Sequence, residues 1–135
     1  MNEQSQADFK IDIAVRISDI NYGGHLGHAE LITITHQARL KFFSKFSLKE
    51  DDLGGAGIIV KCLSVQYNGE AFFDDVLHVS ITITKIGKAS CDFNYEITKN
   101  IERTPVASVF ETVLFMNYKT RKLVRTPSVI FKLTK

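Results

Sequence analysis

The chain has 135 residues, of which 44% are hydrophobic and 24% are charged, and its formal net charge is +2. A chain of this length buries about 65–70% of the surface that it exposes when unfolded, so we expect one domain over residues 1–135. Charges of both signs are mixed along the sequence and no apolar run approaches ~20 residues, which argues against nucleic-acid-binding and membrane-spanning proteins.

The first half of the chain predicts a strand, a polar loop and a long helix. Apolar and polar residues alternate over most of residues 9–17, which is typical of a half-buried strand. Residues 18–28 form a polar loop that contains glycines, and residues 28 to about 46 have the apolar periodicity of an α-helix. The wide apolar face of this helix predicts a central helix enclosed by a sheet. Residues 47–57 indicate a loop with one helical turn at residues 48–53.

The second half of the chain predicts strands joined by hairpins. The breaks fall at Asn68-Gly69, at Gly87-Lys88 and at residues 100–105 and 120–127. Short connections of this kind join antiparallel strands, so a long helix packed on this sheet gives an α+β arrangement. The predicted strands cover residues 58–68, 75–86, 90–98, 106–118 and 129–133.

Three further features carry less information about chemistry. The N-terminus lacks the basic start and apolar centre of a secretory signal, so we expect a cytoplasmic location. Cys62 and Cys91 match no metal-ligand spacing and are predicted to be small buried hydrophobic residues. A basic cluster near the C-terminus is either a solvated strand end or a phosphate contact for a nucleotide-tailed ligand. Its members are Lys119, Arg121, Lys122, Arg125, Lys132 and Lys135.

The glycine-bearing loop and the helix that follows it are the predicted active site. The first backbone N–H groups of a helix have no partner within the helix and carry a partial positive charge, so they would stabilise an oxygen anion. The N–H groups of residues 27–29 are the candidates. Glycines at positions 23, 24 and 27 either let the backbone approach a ligand closely or serve a tight turn.

The order of these elements resembles that of the hotdog-fold acyl-CoA thioesterases, in particular the hydroxybenzoyl-CoA thioesterase-like branch. The resemblance covers residues 9–133. It implies one long central helix wrapped by a curved antiparallel sheet of about five to six strands, no cofactor, and hydrolysis of an acyl thioester to a carboxylate and a free thiol. The segments that carry it are Asp19-x-Asn21-x-Gly23-Gly24-His25, Ala38-Arg39 with Phe42-Phe43, and Phe73-Asp74-Asp75-Val76-Leu77.

The loop departs from that branch at one position. A catalytic aspartate commonly stands where this chain has Asn21, and a histidine commonly stands where it has His28. Plant acyl-carrier thioesterases of similar fold have a catalytic histidine at the position that matches His25. The missing carboxylate favours, as an alternative, a hotdog domain that binds acyl thioesters or a partner protein without hydrolysis. A dehydratase or hydratase of the same fold is a third possibility.

Asp19, Asn21 and His25 are the candidate catalytic residues. If the loop stays extended, Asp19 and Asn21 lie on one side, where Asp19 would accept a proton from a water that Asn21 and His25 position. A turn after the first strand is the alternative role for Asp19. His25 would act as a base or a donor near neutral pH, or would bridge loop carbonyls. The amide of Asn21 is not basic but hydrogen-bonds to water or a carbonyl.

The candidate substrate-binding residues surround these three. Tyr22 either gates the pocket or packs, His28 either caps the helix or lines the pocket, and Glu30 is a second candidate base. His36 and Gln37 are expected at the surface or a subunit contact, and His78 is expected to be structural. The full predicted set is Tyr22, Gly24, Gly27, His28 and Glu30.

The resemblance also implies the partners. The substrate would be an acyl-CoA or an acyl-carrier thioester. An open sheet leaves an edge strand that must be covered, so a homodimer or homotetramer is expected. The acyl pocket would lie between two subunits, with residues 58–63 of one facing the loop and helix of the other.

Overall fold

A computed structural model describes residues 7–134 of the chain. The main helix and the five longer strands lie where the apolar periodicity predicts them, and their ends differ by a few residues. The helices are α1 (His28–Lys45) and α2 (Ser128–Phe131), with a 3-10 turn at Ile17–Asp19. The strands are β1 (Phe9–Ala14), β2 (Gly57–Tyr67), β3 (Val76–Thr84), β4 (Ser90–Lys99), β5 (Thr104–Asn117) and β6 (Lys122–Val124).

The strands form one antiparallel sheet in the order β1-β3-β4-β5-β2, and β6 pairs with the end of β5. The predicted hairpins join β3 to β4 and β4 to β5. β1 and β2 come from the two sides of α1 in the sequence and lie at opposite edges of the sheet. The predicted α+β class and the strand count are therefore confirmed.

The apolar side of α1 packs on the sheet and forms the centre of the core. Phe42 and Phe43 are completely buried, and each contributes about 1.5–3 kcal/mol through burial. The ring of Phe42 stacks on Phe9 of β1 at 5.1 Å, and the ring of Phe43 meets Phe93 of β4 edge-on at 6.0 Å. The helix thus contacts both the edge strand β1 and the inner strand β4, and the predicted central helix is confirmed.

A network of charged side chains lies between α1 and the sheet. The guanidinium of Arg39 donates to Glu111 at 2.6 Å and to Glu50 at 2.9 Å, and Arg39 and Glu111 are buried. The Tyr95 hydroxyl donates to Glu111 at 2.5 Å, and His36 contacts Glu50 at 2.8 Å. Burial alone would lower the pKa of Arg39, but the facing carboxylates outweigh it and raise that pKa. Arg39 is therefore held as a cation inside the fold.

Several local predictions are wrong. Residues 48–53 form no helical turn, because Lys49 and Asp52 make an isolated bridge there. The predicted strand at 129–133 is instead α2, which begins after Pro127, a residue that favours a helix start. Residues 122–124 were predicted to be a break but pair with β5 as β6. Cys91 is buried as predicted, whereas Cys62 is exposed on the edge strand β2.

No helix within residues 7–134 is long and apolar enough to cross a membrane.

Candidate active site

A cavity of about 410 Å³ opens where the glycine-bearing loop, the start of α1 and the β2–β3 connection meet. This volume is within the usual range for small-molecule sites. Its apolar lining comes from Leu26, Leu31, Ala71 and Val106. Its polar lining comes from Asn21, His25, His28, Tyr67, Asn68 and Glu70.

A hydrogen bond between the His25 ring and the backbone determines which ring nitrogen keeps a free lone pair. Nδ1 of His25 lies 2.9 Å from the carbonyl oxygen of Leu26. A carbonyl oxygen only accepts, so Nδ1 carries the hydrogen and donates it. In the neutral ring, Nε2 then has a free lone pair, and this atom lies 3.7 Å from a carboxylate oxygen of Glu70. The ring can therefore accept a proton on its cavity side.

Asn21 lies beside His25 because the loop makes a tight turn. The N–H of Asn21 donates to the His25 carbonyl at 2.9 Å, and the side-chain oxygen of Asn21 accepts from Gly23 at 2.9 Å. A Cβ atom added at Gly23 would lie 3.3 Å from both that oxygen and Nε2 of His25. The side chains of Asn21 and His25 thus lie on either side of Gly23. The oxygen of the Asn21 amide is engaged, so its NH₂ group is what Asn21 can offer a ligand.

The start of α1 borders the same cavity. The N–H of Gly27 donates to the Asp19 carbonyl at 3.0 Å, and the first helical bond runs from Leu31 to the Gly27 carbonyl. Gly27 is therefore engaged, and the N–H groups of His28 and Ala29 are the predicted donors without an intrahelical partner. The Tyr67 hydroxyl donates to the His28 carbonyl at 3.0 Å and ties β2 to this turn.

The side chain of Asp19 lies apart from this group. Its carboxylate is buried and accepts from the backbone N–H of Arg16 at 2.8 Å and from the Arg16 guanidinium at 3.3 Å. Residues 17–19 form a 3-10 turn, so the extended geometry that would align Asp19 with Asn21 is absent. The alternative role, holding the turn that follows β1, fits these contacts.

The other predicted binding residues do not line the cavity. Tyr22 is fully exposed, and Gly24 has a φ of +83°, a conformation that favours glycine in the turn. Glu30 folds back over Gly27 at the helix start. Of the eight predicted site residues, the cavity brings together Asn21, His25 and His28.

Sequence reasoning missed the residues that the β2–β3 connection contributes. The N–H groups of Asn68 and Gly69 donate to the Val106 carbonyl, and the N–H of Leu26 donates to Ala71 at 2.7 Å. A Cβ atom at Gly69 would lie 2.6 Å from the Pro105 carbonyl oxygen, so only glycine allows this approach. The Asn68-Gly69 turn signal marked the connection, but no local pattern placed Glu70 beside His25.

The model of the thioesterase-like superfamily matches residues 15–132 of the chain. The chain belongs to this superfamily. The predicted thioesterase family is thereby confirmed. No curated protein sequence matches the chain at a significant level.

Solved structures of thioesterases share the fold. A 1,4-dihydroxy-2-naphthoyl-CoA thioesterase from Synechocystis superposes with a TM-score of 0.84 at 19% identity over 93% of each chain. A DHNA-CoA thioesterase from Staphylococcus aureus superposes with a TM-score of 0.78 at 21% identity, over 86% of this chain and 78% of that one. A gentisyl-coenzyme A thioesterase superposes with a TM-score of 0.80 at 16% identity, over 91% of this chain and 99% of that one. The predicted hotdog fold is confirmed.

A thioesterase needs donors for the oxygen anion that forms at the carbonyl carbon and a group that takes a proton from water. In this thioesterase-like chain, the cavity is lined by His25, whose Nε2 keeps a lone pair, by Asn21, whose amide can donate, and by His28 at the start of α1. Leu26, Leu31 and Val106 supply an apolar wall beside them. The cavity therefore contains the kinds of groups that thioester hydrolysis uses.

Proposed function

We propose that the protein hydrolyses acyl-CoA thioesters to a carboxylate and coenzyme A, with His25 as the general base. The observation that carries this proposal is the hydrogen bond from Nδ1 of His25 to the Leu26 carbonyl, which leaves the Nε2 lone pair toward the cavity. Asp19 is the weaker candidate, because Arg16 occupies its carboxylate and it does not line the cavity.

The remaining roles follow from the positions of the donors. The N–H groups of His28 and Ala29 would receive the thioester oxygen as it becomes an anion, and one such donor is typically worth ~3–4 kcal/mol of barrier. The amide of Asn21 would orient the water or the carbonyl. The leaving thiolate needs no metal, because it is a stable anion. Leu26, Leu31 and Val106 would contact the acyl group.

Release of free thiol from a panel of thioesters tests the proposal. The panel should include the aromatic substrates for which two neighbours are named, 1,4-dihydroxy-2-naphthoyl-CoA and gentisyl-CoA, together with short and long aliphatic acyl-CoAs. Turnover of at least one is the expected result. Binding without turnover across the panel, measured by calorimetry, would instead support the alternative of a non-hydrolytic acyl-thioester-binding domain, which Asn21 favours.

We further propose a homodimer in which the β2 edges of two chains pair. Val60, Leu63 and Tyr67 are 43%, 42% and 50% exposed. Leu63 pairs with the buried Glu111 across the sheet, so this row is on the helix side, where α1 does not cover it. Antiparallel pairing of two β2 strands would bring basic residues 119–125 of one chain toward the cavity of the other. A tetramer, the cytoplasmic location and the single-domain organisation stay predictions.

Replacing Leu63 with lysine should convert the dimer to a monomer. A charge on the helix side of each β2 strand would meet its symmetry mate in a desolvated contact, which costs several kcal/mol. Light scattering measures the mass. The control is Ile17→Lys, because Ile17 is also exposed but lies in the turn after β1, at the opposite edge of the sheet from β2. A wild-type protein with the mass of one chain would overturn the proposed dimer.

A further inference from the structure

One carboxylate of the cavity has no role in the proposal above. We propose that Glu70 is a catalytic residue that holds the attacking water together with His25. This inference rests on the proposed thioester hydrolysis and deepens its mechanism. The carboxylate would come from the β2–β3 connection rather than from the loop before α1, where this chain has Asn21.

The distance between the two side chains fits a shared water. An oxygen of Glu70 lies 3.7 Å from Nε2 of His25, which is too long for a direct hydrogen bond. It is short enough for one water to lie about 2.8 Å from both atoms. The ionised carboxylate and the Nε2 lone pair only accept, so such a water donates both of its hydrogens. Its oxygen lone pairs then remain free to attack a carbonyl carbon.

The backbone around Glu70 is held firmly against the site. The Lys99 ammonium donates to the Glu70 carbonyl at 2.7 Å, and the N–H of Leu26 donates to Ala71 at 2.7 Å. The Leu26 carbonyl accepts from His25, so the two loops share this contact point. Glycine at position 69 permits the close approach to the Pro105 carbonyl. The Glu70 side chain therefore extends from an ordered position next to the imidazole.

Other nearby carboxylates are engaged elsewhere. Asp19 accepts from Arg16, and Asp75 accepts from Asn100 at 3.0 Å and from Lys99 at 3.3 Å. Among residues 7–134, Glu70 is the one acidic residue that lines the cavity. The carboxylate of Glu70 has an ion pair within 4 Å only with His25 in that part of the chain. This leaves Glu70 free to act on a ligand.

The chemical step balances as follows. The water oxygen bonds to the thioester carbonyl carbon, the C=O π pair moves to the oxygen, and one water proton moves to Nε2 of His25. Glu70 stays ionised, keeps the hydrogen bond of the remaining O–H and stabilises the imidazolium. An electron pair on the oxygen anion then re-forms the C=O bond, and the C–S bond breaks with its electron pair on sulfur, which releases the thiolate. The imidazolium returns its proton to the thiolate, so the products are a carboxylic acid and a thiol.

The test compares Glu70→Gln, Glu70→Ala and a control, Glu102→Gln, on the thioester that the wild type turns over fastest. Glu102 is exposed in the β4–β5 turn, away from the cavity. We expect Glu70→Gln to lower kcat by about 100-fold, because the negative charge that orients the water and stabilises the imidazolium is lost, with KM little changed. Added formate should restore part of the turnover of Glu70→Ala, because it supplies a small carboxylate. Formate should not restore His25→Ala.

Each outcome separates the two levels of the proposal. Wild-type turnover that persists in Glu70→Gln but is lost in His25→Ala would overturn the role of Glu70 and leave the thioesterase function standing. Loss of kcat in both Glu70 variants without formate rescue would assign Glu70 a structural role and overturn the catalytic one. Absence of turnover in the wild type on every thioester would overturn both.

Discussion

Replacing His25 with alanine should lower kcat for acyl-CoA hydrolysis by about 10²–10⁴-fold, because the group that takes the proton from water is lost. The hydrogen bond from Nδ1 to the Leu26 carbonyl holds the ring, so its loss also frees the loop locally. Stopped-time thiol release at saturating substrate measures kcat. Circular dichroism and the unfolding midpoint show whether the fold is retained.

Two further variants separate the basic nitrogen from its structural partner. His25→Asn keeps an N–H donor for the Leu26 carbonyl but has no basic nitrogen, so it should be nearly as inactive as His25→Ala. The control is His36→Ala, a histidine on the exposed side of α1, which should retain the wild-type kcat. Full activity in His25→Asn would show that the imidazole only positions the loop, and it would remove the proposed base.

Replacing Arg39 with methionine should lower the free energy of unfolding by about 3–5 kcal/mol, because it leaves the carboxylate of Glu111 buried without its cation. Arg39 and Glu111 are 5% and 4% exposed, and their atoms lie 2.6 Å apart. The free energy of unfolding of a typical domain is only ~5–15 kcal/mol, so this single change removes a large share of it. Urea unfolding at neutral pH measures the loss as a shift of the midpoint at constant slope.

The matched control and a double variant test the cause. Lys41→Met changes a cation to the same apolar residue on the exposed side of α1, and it should alter the unfolding free energy by no more than about 0.5 kcal/mol. Adding Glu111→Gln to Arg39→Met removes the unpaired charge, so the double variant should be more stable than Arg39→Met alone. If Arg39→Met lowers the free energy of unfolding no more than Lys41→Met does, the proposed stabilising role of the buried ion pair is wrong.

Most of the fold could be predicted because its signals are local. The apolar stripe from Leu31 to Phe43 and the alternation in β3 each describe one element and which of its faces is buried. Residues 129–133 show the limit of such patterns, since a short apolar run fits a strand as well as a helical turn. The placement of α2 follows from Pro127 and from its packing against the core, where Ile130 is fully buried.

The charged network illustrates what local patterns omit. Arg39 falls on the apolar side of α1, and its partners come from the loop before β2 and from β5, so no spacing in the sequence connects them. Its burial is a result of how the helix lies on the sheet. A buried cation without partners would be strongly destabilising, so Arg39 is stable in this position only when Glu50 and Glu111 are also in place.

By itself, the sequence determined the α+β class, the long central helix and the loop that carries His25, because periodicity and turn signals act over neighbouring residues. Only the tertiary structure decided which side chains share the cavity. Backbone contacts of the β2–β3 connection with Leu26 and Lys99 hold Glu70 where its carboxylate lies 3.7 Å from His25, while Asp19, in a 3-10 turn, pairs with Arg16. Side-chain chemistry at an active site depends on distances of a few ångströms, and those are set by contacts between residues that are far apart in the chain.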